Sequence, residues 1–214
     1  MGPFGATLHA ERAEPRLKCV NPPAKVIYLR SYGDRDRDDH DVVRAVLDAT
    51  VDLLRDQSFD DLTTRQIADR AGVAHSDLCA YFRSKDAIVA EVYLGLLRDA
   101  PLAVDVEESA RTRVVALFHQ LVMLPADRPG LAAACSSAMI SQDKTVQPIR
   151  RRIQAELHRR VRTVLRSDAW PEVAQTLEFG LVGAMVQASS GAATFEGMAD
   201  ELARVVTTLL PETS

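Results

Sequence analysis

Residues 62–85 read LTTRQIADRAGVAHSDLCAYFRSK, a stretch dense in local helix start and stop signals. Thr63 with Gln66 three places on makes a capping box: the threonine hydroxyl accepts from a first-turn amide and the glutamine reaches back to the amide of the cap. A short helix over 64–71 follows, ended by Gly72, which tolerates the positive φ of a tight turn. Leu78 and Phe82, one turn apart, give the next short helix its buried side. Ser84 then caps a helix carrying Ala87, Ile88, Val89, Val92 and Leu96, which stops before Pro101.

Upstream, Val42, Val46, Ala49 and Leu53, with Val43, Leu47 and Leu54 beside them, recur by three and four. Asp41, Arg44, Asp48, Asp52 and Arg55 fall on the opposite face, so an amphipathic helix is predicted from His40. Two short helices joined through Gly72 and Val73, braced by a longer helix on either side, match the physical description of a helix-turn-helix, whose second helix can enter a major groove.

The whole chain has 214 residues, 47% apolar, 26% charged and 5% aromatic, which bounds it to one or two small domains. A net charge of −4 excludes a bulk polycation strategy for holding nucleic acid or membrane, so binding must be local. Cys19, Cys79 and Cys135 contain no Cys-x-x-Cys and build neither a disulfide framework nor a four-cysteine zinc site, and a reducing cytoplasm is the natural compartment. No apolar run reaches the ~18 residues of a membrane span. Neither a Gly-rich phosphate loop nor a metal-spaced His/Glu pair occurs, and no cofactor or metal is expected.

Residues 1–39, with Pro3, Pro15, Pro22 and Pro23 among unpatterned charges, are expected to lack a fixed fold. Val26, Ile27, Tyr28 and Leu29 could make one short strand without a partner. Arg12, Arg16, Lys18, Lys25 and Arg30 leave the segment up to Gly33 at net +3, suited either to a flexible minor-groove arm or to a plain tail. After them, 40–84 read as the helix-turn-helix domain, 85–101 as a connecting helix and 102–214 as a larger helical domain, with further helices over 107–124, 131–140, 146–166, 172–189 and 195–210. The predicted class is all-α.

The order Leu62 to Val73, then Leu78, Tyr81-Phe82 and Ser84-Lys85, resembles the DNA-binding domain of the tetracycline-repressor (TetR) family over about residues 42–97. The resemblance implies an all-helical homodimer whose carboxy-terminal domain binds a small molecule and whose two amino-terminal domains grip a palindromic operator on double-stranded DNA. Thr64, Arg65, Tyr81 and Lys85 match family residues that touch phosphates or neighbouring bases. Lys85 in particular is expected on a phosphate beside a helix N-terminus. Base reading falls to His75, Ser76, Asp77 and Ala80: His75 toward guanine, Asp77 toward cytosine N4, Ala80 toward a thymine methyl. Three features depart from the family pattern. Ala74 stands where a capping serine is usual, Cys79 stands where an aromatic is usual, and residues 41–90 carry net −3.

Toward the end of the chain Phe195, Met198, Leu202, Val205 and Leu209 repeat by three and four, as do Val173, Leu177, Gly180, Ala184 and Ala188. Such stripes serve a core or an interface; the resemblance favours pairing of these helices with their copies, so Leu177, Gly180, Ala184, Ala188, Met198, Leu202, Val205 and Leu209 are the expected dimer interface. An effector pocket, for a largely apolar small molecule, is expected among Leu117, Phe118, Leu121, Cys135, Met139 and Ile153, completed by Leu157, Trp170 and Phe179. His119, Gln120, His158 and Gln187 are candidate polar groups. Seven arginines between 150 and 166 fit a solvated outer face better than an anion site.

Two other functions fit single residues. Oxidation of Cys79, if it lies on the exposed side of the groove-facing helix, would make DNA binding redox-responsive, although Asp77 nearby opposes a lowered thiol pKa. Cys135 with His119 or His158 could form a nucleophile and base, but no local signature joins them.

Overall fold

The computed structural model describes residues 32–102, 105, 107–166 and 171–210, and every regular element among them is an α-helix. In chain order these are α1 (Tyr32–Leu53), α2 (Thr64–Ala71), α3 (His75–Tyr81), α4 (Lys85–Asp99), α5 (Ala110–Met123), α6 (Pro129–Ile140), α7 (Gln147–Leu165), α8 (Pro171–Ser189) and α9 (Phe195–Leu209). The basic segment 1–30, the strand considered at 26–29, Cys19 and Trp170 lie outside the described residues.

The first helix begins eight residues before His40, so residues 32–39 are helical where no fixed fold was expected. Burial periodicity cannot register a turn that carries no apolar stripe.

The local signals of the 62–85 stretch are realised. Thr63 accepts from the Gln66 amide at 3.2 Å and Gln66 Oε1 accepts from the Thr63 amide at 2.8 Å, closing the capping box. Gly72 takes φ +68°, with its amide on Asp69 O and that of Val73 on Ala68 O, the paired bonds of a Schellman motif. Leu78 and Phe82 are buried in one cluster with Leu62, Ile67 and Ala68, with Val46 and Ala49 of α1 and with Leu54 just past its end.

Helix α4 is packed on two sides within one continuous core. Ala87 through Ala90, and Val92, Tyr93, Leu94 and Leu97, are buried, because α1 packs on one side and α6 and α7 on the other. The carboxy-terminal helices close around Leu117, Phe118, Leu121, Ile153, Val161 and Leu181. Gly130 enters the first turn of α6 against the end of α1, so closely that a Cβ there would stand 2.3 Å from Leu54 O.

The arginines of α7 are not one solvated face. Arg151, Arg152, Arg159, Arg162 and Arg166 are exposed, but Arg160 is 1% exposed. Its guanidinium donates to Glu156 Oε1 at 2.8 Å, and to Ala100 O at 2.8 Å and Arg98 O at 3.3 Å at the end of α4. Position 160 falls on the stripe of Ile153, Leu157 and Val164, which faces the core; a buried cation needs such partners.

Candidate nucleic-acid interface

Along α3, Ser76, Asp77, Ala80 and Tyr81 form one exposed edge opposite buried Leu78, and Tyr81 is 40% exposed. His75 and Cys79, one turn apart, flank that edge and are half-buried against α2. His75 Nε2 lies 3.0 Å from Thr64 Oγ1 and 3.7 Å from Cys79 Sγ. Thus the imidazole braces α3 against the start of α2, and Cys79 sits behind this brace instead of on the exposed side. Spacing alone could not show this, because an i,i+4 pair marks a shared face without saying which neighbour covers it.

As its sequence indicated, Ala74 provides no side-chain cap to α3. Neither His75 nor Ser76 replaces it; Ser76 Oγ turns to Asp77 Oδ1 at 3.4 Å.

Lys85 is where the structure departs most from expectation. Its ammonium donates to Phe59 O at 2.6 Å, Leu62 O at 3.0 Å and Asp60 O at 3.1 Å, and stands 4.5 Å over the Phe59 ring centroid. All three protons of the ammonium are engaged, so Lys85 ties α4 to the turn before α2 and does not point outward to a phosphate. Arg65 and Arg83 are instead exposed and form no ion pair among the described residues. By contrast Arg70 and Arg55 turn to Asp52, at 3.3 and 3.5 Å. Arg83 was not singled out from the sequence; its signal was its place between buried Phe82 and the cap Ser84, where the chain must turn and a side chain points out.

A second candidate site is a cavity of about 30 Å³ between α4, α6, α7 and α8. Cys135, Met139 and Leu157, three of the candidates named from the sequence, line it. Tyr93, Ser136, Val182, Met185 and Ser189 line it too, and had no distinguishing signal in the periodicity. Leu117, Phe118, Leu121 and Ile153 are buried but pack into the core away from its wall. Phe179 is 66% exposed: it lies two residues, about 200° of helical rotation, from buried Leu177 and therefore on the opposite face of α8. Of the polar candidates, His119 and Gln187 are exposed, Gln120 donates to Pro101 O at 2.8 Å, and His158 is exposed with Nδ1 2.8 Å from Glu178.

Burial pushes the Cys135 thiol up to about 12, an effect Arg128 opposes, and neither exposed histidine bonds it. A protonated thiol without a base is not a nucleophile.

The expected dimer stripe is largely internal to the subunit. Leu177, Ala184, Ala188 and Leu202 are at most 5% exposed, because α8 and α9 pack on each other and on α5. Met198 and Leu209 are half-buried, and a Cβ on Gly180 would stand 3.6 Å from Leu202 of the same chain. Val205, 37% exposed, is the one member of that stripe among the exposed large apolar side chains of the described residues.

No helix among the described residues is long and apolar enough to cross a membrane. A family model described as "Bacterial regulatory proteins, tetR family" matches residues 46–92, which span the end of α1 through the middle of α4. An uncharacterized HTH-type transcriptional regulator of Mycobacterium tuberculosis is 39% identical over 198 residues, 92% of this chain and 90% of its own. Two solved structures share the fold. A TetR transcriptional regulator from Rhodococcus sp. RHA1 is 18% identical with a TM-score of 0.70, over 84% of this chain and 100% of that one. The transcriptional regulator FadR from Bacillus subtilis, in complex with stearoyl-CoA, is 12% identical with a TM-score of 0.57, over 80% and 99%. With the helix-turn-helix geometry, these likenesses establish that the chain belongs to the TetR family and is a DNA-binding transcriptional regulator, not an enzyme.

Proposed function

We propose that the chain is a ligand-responsive repressor that holds a palindromic operator as a homodimer and releases it when a largely apolar small molecule enters the cavity beside α4. Residues 40–84 carry the DNA contacts, 85–101 connect, and 102–214 bind effector and partner. At the operator, Ser76, Asp77 and Ala80 read bases, while Arg65, Arg83, Thr64 and Tyr81 meet backbone. His75 and Lys85 position α3 and the turn before α2.

The observation that carries this reading is the double membership of α4. Lys85 at its start holds the helix-turn-helix through three carbonyls, and Tyr93, about 12 Å further along the axis, forms part of the cavity wall. A ligand that repositions α4 therefore shifts both domains' contacts. The energetic requirement is specific: moving a population from about 1:99 to 99:1 needs roughly 10⁴-fold tighter binding to the released form. The small volume of the cavity is in keeping with that requirement, because a ligand must displace side chains to enter. FadR's structure with stearoyl-CoA is one instance of a ligand held by this fold.

The homodimer is assigned to the outer face of α8 and α9, where Phe179 and Val205 are exposed. The test is capture of genomic fragments by the purified protein, then release from the captured operator by small-molecule extracts. Val186 lines the cavity: release that is lost on Val186→Phe, which fills it, supports effector control; release unaffected by it removes that control while leaving DNA binding.

A further inference from the structure

Tyr93 is the most deeply buried hydroxyl of the cavity wall. Its hydroxyl is buried and donates to Met185 Sδ at 3.1 Å, and a thioether is a weak acceptor. Burial pushes the phenol well above its ordinary range, so it is a permanent donor with no ionised role. Around it the wall is neutral throughout: thioethers, aliphatic side chains, a protonated thiol and serine hydroxyls, with no carboxylate, ammonium or guanidinium. Arg128, the cation whose field reaches Cys135, stands outside the wall beside Asp127, at 3.3 Å.

Resting on the effector reading above, we propose that the ligand is uncharged and mainly apolar and carries one carbonyl-type oxygen that accepts the Tyr93 hydrogen bond in place of Met185. A neutral wall makes an ionised ligand lose its hydration without return. An oxygen acceptor exchanges a weak O–H···S contact for a stronger one. Met139 and Met185 are the adaptable walls that a ligand can push aside, since unbranched thioethers repack readily. Because Tyr93 sits on α4, the same bond that recognises the ligand acts on the helix that holds the DNA-binding domain.

The experiment is titration calorimetry of the full chain with four matched probes: acetophenone, its near-isostere ethylbenzene, benzoate and benzylammonium. Acetophenone should bind more tightly than ethylbenzene and more than about a hundredfold more tightly than either ion. Tyr93→Phe should lower acetophenone affinity roughly three- to tenfold, to the level of ethylbenzene, whose own affinity is unchanged. Val186→Phe should abolish both. Unaltered acetophenone binding by Tyr93→Phe overturns the recognition role. Ion binding at least as tight as the ketone's, or no binding by any probe, overturns the ligand class. Neither result touches effector control as such, whose failure would appear separately as operator release that Val186→Phe leaves intact.

Discussion

The Lys85 ammonium donates to the Phe59 carbonyl at 2.6 Å, joining the first residue of the connecting helix to the turn that launches α2. With Asp60 O and Leu62 O it completes a three-carbonyl seat. Lys85→Met keeps the aliphatic stem but leaves those carbonyls without their donor, and should lower stability by about 2 kcal/mol in urea unfolding. It should also weaken operator binding while the slope of log affinity against log salt stays unchanged. Arg65→Ala, at an assigned phosphate contact, should reduce that slope by about 1.

Gly130 and Gly95 predict opposite outcomes for one chemical change. A Cβ at Gly130 would meet Leu54 O at 2.3 Å, and backbone cannot rotate away as a side chain can. Gly130→Ala should cost about 1–3 kcal/mol in thermal unfolding. Gly95 lies inside α4 with nothing within 4 Å of its added Cβ, so Gly95→Ala should stabilise by about 0.5–1 kcal/mol.

Glu156 makes stability depend on acid. The Arg159 hydrogen bond, aided by that of Arg160 and opposed by burial, holds its carboxyl at about 2, below its ordinary 4.5. A carboxyl lowered in the folded state adds stability that is complete above about pH 4.5 and is lost as pH falls toward 2. Urea midpoints at pH 3 and pH 7 should therefore differ more for the native chain than for Glu156→Gln. At pH 7 that variant should be destabilised by about 3 kcal/mol, since it leaves buried Arg160 without its counter-charge.

Phe179→Asp puts a charge on the outer face of α8 without touching the subunit core. Sedimentation should show a monomer, and operator affinity should fall by about a hundredfold or more because two half-sites are no longer held together. An unchanged dimer would assign the interface elsewhere.

The helix-turn-helix was legible because its signals are local. A capping box, an αL glycine and an i,i+4 apolar pair act within a few residues, and each is present at its quoted position. The carboxy-terminal helices were legible as helices for the same reason, with ends within three residues of those observed. What periodicity conveys is that Leu177, Ala184 and Leu202 are buried; whether the covering surface is α9 of the same chain or a second copy is a property of tertiary packing. The same limit explains Phe179 assigned inward, Tyr93 overlooked beside the cavity, and Arg160 counted among solvated arginines. Lys85 shows a further limit. A lysine in a first helical turn has a stem long enough to reach either a phosphate or the preceding turn, and its neighbours in sequence do not choose between them.

If the exposed edge of α3 meets base pairs, Ala80→Glu must abolish operator recognition. The substitution places a carboxylate at the middle of that edge, away from buried Leu78 and from the α8–α9 face. Footprinting on captured genomic fragments should show, for the native chain, an inverted repeat with half-sites one helical turn apart, about 34 Å. Ala80→Glu should lose that footprint with melting temperature and dimer intact. A footprint that survives the substitution would contradict the account.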